Sequence, residues 1–207
     1  IIEDCASSIG AKINNQPVGT FGDLAIFSFG ATKFITTGGG GMIVSRKDKY
    51  IERIRDYINY DYRKIYYPRF NFDFNDIQAS IGIAQLEKLN DFIDRRKYIA
   101  NKYIEICNKK GWNFQKPLKN EFLQNWYRFV LFLPEKDVVR LHNHLKKRGV
   151  STIIPLERWE LLNSYLGLDP KYFSNSVKAS KHTLSVPIYP SLTEANLEDI
   201  IDALTKF

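Results

Sequence analysis

Three groups of residues in the first 42 positions are of types that could do chemistry together. Asp4 closes the opening IIED. Ser28 and Lys33 lie in FSFGATK, at and just past the end of the apolar run Leu24 to Phe29. The glycine run Gly38 to Gly41 follows at once. A lysine amine forms a Schiff base with an aldehyde, a serine hydroxyl holds a phosphate, and a carboxylate keeps a pyridine nitrogen protonated. Pyridoxal 5′-phosphate (PLP) uses all three. Each residue alone has a plainer reading: a surface lysine, a capping aspartate, a glycine turn. It is their order that sets them apart. Cys5 and Cys107 are too few for a disulfide framework and lack metal-ligand spacing, so no metal site is expected.

Such a set has to be positioned by strands. Ile1 to Asp4, Leu24 to Phe29 and Met42 to Ser45 read as buried strands of an α/β sheet, whose sites lie beyond the strands' carboxyl ends. A long helix is expected from Asp76 to about Cys107. It carries Ile77, Ile81, Ala84, Leu89, Phe92, Ile99, Tyr103 and Ile106 mostly at three- and four-residue steps. Asn75 with Gln78 forms a capping box at its start, and Gly111 closes it. Asn108 to Asn125 is polar, contains Pro117, and reads as a linker. Beyond it, Trp126 to Leu133 reads as a strand and Asp137 to Arg148 as a helix stopped by Gly149. Ser151 to Ile154 reads as a strand and Leu184 to Ile188 as a short extended piece. Ser191 with Glu194 caps a final helix through Leu197, Ile200, Ile201 and Leu204. The division is an α/β part with a long connecting helix over residues 1–110, and a small α+β domain over 111–207.

The composition, 44% hydrophobic and 26% charged in 207 residues, is that of a globular protein and excludes a disordered or collagen-like chain. The net charge of +7 permits a nucleic-acid or phosphate partner. The densest basic segment, Arg140 to Arg148, has Val138, Leu141 and Leu145 on one face and reads first as a solvated helix face. No nucleic-acid motif appears, and no apolar run is long enough to span a membrane. With no leader and only two cysteines, a cytoplasmic location is expected. The chain opens on Ile1 inside a strand pattern, so it is expected to be the later part of a longer one.

The stretches IIEDCASSIGA, GTFGDLAIFSFGATKFITTGGGGMIVS, RFNFDFNDIQASIGIAQLEKLNDFIDRR and LSVPIYPSLTEANLEDIIDAL resemble, in that order, the DegT/DnrJ/StrS family. These are PLP-dependent sugar aminotransferases of fold-type I. The resemblance implies part of a large-domain sheet, a long helix and a small C-terminal α+β domain. It makes Lys33 the Schiff-base lysine and proton shuttle, and Asp4 the partner of the pyridinium nitrogen. It gives the cofactor phosphate to Ser28 and the ring hydroxyl to Ser7. Asn71 would reach a neighbour's phosphate across a homodimer interface. The implied substrates are a nucleotide-linked keto sugar and glutamate as amino donor. This sequence departs from the family pattern at several positions. Ser7 stands where Gln or His is usual, Gly30 where His or Tyr is common, and Phe34 where Asn is common. Gly39 replaces a Glu, Asp73 an Arg, and Glu157 a His. Two other readings remain: a PLP-binding relative that does not transaminate (a regulator or a sugar dehydratase), and a basic non-enzymatic binding module. The dehydratases carry His in place of the lysine, so Lys33 counts against that reading. The 207 residues alone are expected to bind PLP weakly and to have little activity.

Overall fold

The computed structural model describes residues 1–116 and 122–207. The chain opens with short strands, β1 (Ile2–Asp4), β2 (Lys12–Ile13), β3 (Gln16–Pro17), β4 (Leu24–Ser28) and β5 (Gly41–Val44). Helix α1 (Asp48–Ile58) follows, with Asp48 in its first turn and Arg55 in its last, the arrangement that its dipole favours. The sequence reading had no helix there. Helix α2 (Asp76–Glu87) starts at the expected capping box. The Gln78 amide donates to Asn75 Oδ1 at 3.0 Å, and the Asn75 amide donates to Gln78 Oε1 at 3.3 Å. Helix α3 (Leu89–Lys110) begins after a break at Lys88, where φ is −95° and ψ is 5°. The single helix expected from Asp76 to Cys107 is therefore two. One residue leaving the helical region shifts the apolar period too little for the pattern to register it. Gly111, at φ 66°, closes α3, and the Trp112 amide bonds the Cys107 carbonyl at 2.9 Å.

The stretch read as a linker contains β6 (Asn113–Phe114) and β7 (Phe122–Leu123), and two-residue strands carry no readable period. Residues 117–121 of it, Pro117 among them, lie outside the described residues. The next strand, β8 (Phe129–Phe132), is shorter than expected, because Trp126 sits at φ 53°, outside any strand conformation. Helix α4 (Glu135–Lys147) ends as predicted at Gly149, with φ 77°. The Val150 amide bonds the Leu145 carbonyl and the Gly149 amide bonds the Lys146 carbonyl, which is a Schellman motif. Short 3₁₀ turns at Arg158–Glu160 and Pro170–Phe173 flank α5 (Leu162–Tyr165). Then come α6 (Ser174–His182), β9 (Thr183–Val186) and α7 (Glu194–Thr205). The strand expected at Ser151 to Ile154 is a single bridge between Ile153 and Ser185. Thr193, not Ser191, caps α7, accepting from the Asn196 amide at 3.2 Å.

Two compact units divide within α3, at Ile93 and Asp94, rather than at the helix's end. The first unit is Ile1–Ile93 with Pro117–Tyr127. It holds the sheet β1-β4-β5, parallel then antiparallel, and the antiparallel sheet β3-β2-β7. Its core is Phe29, Phe34 and Ile35, with Ile9, Phe27, Leu89, Phe92, Ile93 and Tyr127 packed against it. The strands of the first sheet were expected to be buried, but among them only Ala25 is. In register, Ile2, Ile26 and Ile43 share one face, and that face is open to solvent.

The second unit is Asp94–Lys116 with Arg128–Phe207. Its antiparallel sheet β6-β8-β9 buries Phe129, Leu131, Leu184 and Val186. Helix α3 contributes Ile99, Ala100, Tyr103, Ile106 and Cys107, α4 contributes Val138, Leu141 and Leu145, and α7 contributes Leu197, Ile200, Ala203 and Leu204. The Tyr103 and Phe129 rings meet edge to face at 5.2 Å, and the Tyr103 hydroxyl donates to the Pro187 carbonyl at 2.8 Å. No helix among the described residues is long and apolar enough to cross a membrane.

Candidate functional site

The register of the first sheet brings three of the singled-out features to one edge. β1 and β4 are parallel, with Asp4 opposite Ile26, so their carboxyl ends coincide. Ser28, two residues beyond Ile26, lies on the same face as Asp4. The antiparallel β5 starts at Gly41, opposite Ser28, so the glycine run arrives at that same edge. Asp4 is exposed, and its Oδ1 accepts from the Ala6 amide at 3.0 Å. Ser28 Oγ accepts from the Gly30 amide at 3.4 Å. A turn closed by the Lys33 amide on the Gly30 carbonyl, at 3.0 Å, then places the lysine. Its Nζ donates to Ser7 Oγ at 3.3 Å and stands 5.6 Å from the centre of the Tyr127 ring. Among the described residues neither Lys33 nor Asp4 enters a salt bridge.

The loop after Lys33 is firmly held. Phe34 and Ile35 enter the core directly. The Thr37 amide and the Thr36 hydroxyl both donate to the Phe29 carbonyl, at 3.0 and 3.3 Å. The Thr36 amide donates to Gln85 of α2 at 2.9 Å. Gly40, at φ 97°, lies against Phe74 so closely that a Cβ would stand 2.6 Å from a ring carbon, so glycine is required there. On the opposite flank Glu3 accepts from the amides of Gly19 and Phe21 at 2.7 Å and of Gly22 at 2.5 Å. These bonds, the one from Gly22 foremost, hold its carboxyl below the usual range. Cys5, next to Asp4, is buried, and burial pushes its thiol up and away from the reactive thiolate form.

Sequence reasoning missed Asn125 and Tyr127. Asn125 is buried and donates to the carbonyls of Ser7 and Ile9 at 3.1 and 3.0 Å. The Tyr127 hydroxyl donates to the Thr32 carbonyl at 3.2 Å. Both sit in stretches read as linker and strand, and neither has a pattern that could have marked it. Asn71 is exposed on the segment before α2 and makes no hydrogen bond to Asp4, Ser7, Ser28 or Lys33 among the described residues. Its segment is held by the Phe70 amide on the Tyr57 carbonyl at 2.9 Å and by the stacked rings of Phe70 and Phe72. Glu157 belongs to the second unit, where its amide donates to Glu160 at 2.7 Å. Among the described residues no group of three or more His, Cys, Asp or Glu could hold a metal ion.

A partly buried lysine amine with a hydroxyl neighbour and, among the described residues, no carboxylate partner, at the sheet edge shared by an exposed carboxylate and a serine hydroxyl, suits imine chemistry on a phosphorylated aldehyde. The family model described as DegT/DnrJ/EryC1/StrS aminotransferase family matches residues 1–205. A GDP-perosamine synthase from Escherichia coli O157:H7 is 29% identical over 217 residues, covering 100% of this chain and 58% of its own length. The crystal structure of the aminotransferase TlmJ from Streptoalloteichus hindustanus superposes with a TM-score of 0.88 at 25% identity, over 99% of this chain and 57% of that one. A Streptococcus pneumoniae protein solved in its PLP form gives a TM-score of 0.87 at 21% identity, over 100% of this chain and 57% of its own. The chain thus spans a little under three-fifths of the length of these relatives.

Proposed function

This chain belongs to the DegT/DnrJ/EryC1/StrS aminotransferase family, and from that premise we propose that it carries the PLP-binding edge of a sugar aminotransferase. Aminotransferases of this family are PLP-dependent, and the fold is that of the fold-type I enzymes. The reaction in this reading moves an amino group from glutamate to a keto group of a nucleotide-linked sugar. The name of the GDP-perosamine synthase supports that substrate class. The observation that carries the reading is the Lys33 amine, 3.3 Å from a hydroxyl and in no salt bridge among the described residues, at the edge that Asp4 and Ser28 share.

The residues present fit the cofactor. A carboxylate, a hydroxyl and an amine at one sheet edge, from Asp4, Ser28 and Lys33, match the pyridinium nitrogen, the phosphate and the aldehyde that the group presents. Bound PLP supplies an electron sink for the charge that develops at the donor's α-carbon. Lys33 would hold the cofactor through its amine, which condenses with an aldehyde with loss of water. Lys33, when its amine is free, would serve as the base that removes a proton at the donor's α-carbon and as the acid that delivers one at the sugar carbon. Asp4, whose Oδ1 accepts from the Ala6 amide, would keep the ring nitrogen protonated through a charge-assisted bond. Ser28 would bind the phosphate, and Ser7 the ring hydroxyl. Asn71, exposed in an aromatic segment, reaches a neighbour's phosphate in a homodimer. The enzyme works in the cytoplasm, and the 207 residues alone bind PLP weakly. The test is Asp4→Asn in the full-length enzyme: cofactor stays bound while turnover falls by about 10²-fold or more. Near-normal turnover removes Asp4 from this role.

A further inference from the structure

We propose that Asn125 is a positioning residue for Lys33, acting by fixing the Ser7 hydroxyl on the lysine amine. The proposal rests on the reading of Lys33 given above. Asn125 is 7% exposed and has a partner at every polar atom of its amide. Nδ2 donates to the Ser7 carbonyl at 3.1 Å and to the Ile9 carbonyl at 3.0 Å. Oδ1 accepts from the Tyr127 amide at 3.1 Å. The two donated bonds pin the backbone on either side of Ser8, and so the backbone that carries the Ser7 hydroxyl. That hydroxyl accepts from Lys33 Nζ at 3.3 Å.

The accepted bond spans a turn through Trp126, whose φ of 53° is one a large side chain adopts only when its surroundings force it. The turn delivers Tyr127, whose hydroxyl donates to Thr32, the residue before Lys33, at 3.2 Å. One buried amide therefore ties the Ser7 loop to the segment that braces the lysine loop. An apolar side chain would fill the same space, but it could not orient two carbonyls and an amide at once. A base misplaced by about 1 Å can lose about 10²-fold in rate, so this orientation bears on turnover.

The test is a double-mutant cycle on the PLP-loaded full-length enzyme, read as kcat and KM of the half-reaction with glutamate. Asn125→Ala is expected to lower kcat about tenfold, with KM within about twofold. In the Ser7→Ala background the same substitution is expected to cost at least about threefold less, because the hydroxyl it places is gone. Asn125→Asp has the same size, keeps the acceptor for Tyr127 and removes both donors. It is expected to match the alanine variant, and it carries the test if alanine does not fold. Equal loss in both Ser7 backgrounds, or an unchanged kcat, overturns the proposal. Failure of the underlying reading looks different: Lys33→Ala would then keep turnover and the cofactor's visible absorbance, whatever Asn125 does.

Discussion

The two units are built by different means. In Asp94–Lys116 with Arg128–Phe207, the helices α3, α4 and α7 each bury an apolar stripe, and the sheet contributes Phe129, Leu131, Leu184 and Val186. In Ile1–Ile93 with Pro117–Tyr127, α1 and α2 bury no residue, and the buried cluster is Phe29, Phe34 and Ile35. That unit is knit by directional bonds from a few polar side chains: Glu3 on three amides, Asn125 on two carbonyls, Gln85 on the Thr36 amide. Apolar burial stabilises without specifying direction, whereas a hydrogen bond fixes an angle and a distance. The unit that carries the candidate site is the one whose loops are set by polar contacts.

The largest effect should come from the first unit and leave stability alone. Lys33→Ala in the full-length enzyme is expected to lower transamination by about 10⁴-fold or more and to remove the visible cofactor absorbance. The urea midpoint of the cofactor-free protein should stay where it was, since the Lys33 side chain contributes one hydrogen bond. A large shift in that midpoint would break the contrast between chemistry and packing. In the second unit the expectation reverses. Leu141 is fully buried, and Leu141→Ala should cost about 2–5 kcal/mol by urea unfolding. Ile77 of α2, 74% exposed, should cost no more than about 0.5 kcal/mol when changed to alanine. Equal losses at the two positions would erase the difference between the units.

Glu3→Ala probes the polar knitting itself. Losing three charge-assisted bonds to amides should cost about 1–3 kcal/mol, read by hydrogen exchange at Gly19, Phe21 and Gly22. The carboxyl is held below its unfolded value of about 4.3. Its contribution is therefore complete above that value and is lost as pH falls through the lower folded value. The alanine variant should lack that acid-side loss. The smallest effect sharpens the comparison from the other side. Asn75→Ala and Thr193→Ala remove one cap in each unit and should each cost about 1 kcal/mol, because a cap acts within its own first turn.

The legible parts of the fold were those governed within a turn or two. The capping box at Asn75 and Gln78, the stop at Gly149 and the stripe Val138, Leu141 and Leu145 all stand as read. Ser191 did not cap α7, because Ser and Thr two residues apart are equally good candidates and only the backbone angle at Thr193 selects one. The break at Lys88 and the two-residue strands β6 and β7 are shorter than any period that could announce them. Of the candidate site, the order Asp4, Ser28, Lys33 was readable because strand ends and the loops that follow them are contiguous in the chain.

By itself, then, the sequence determined the apolar stripes of α4 and α7, the start of α2, the ends of α3 and α4, and the placement of an acid, a hydroxyl and an amine just beyond strand ends. These depend on steric and hydrogen-bonding preferences over a few residues. Only the tertiary structure decided which groups meet. Ser7 and Lys33 are 26 residues apart, Thr32 and Tyr127 are 95 apart, and Asn125 and Ser7 are 118 apart. Contacts at such separations leave no periodicity behind, because they exist only once sheet register and core packing have brought distant backbone together.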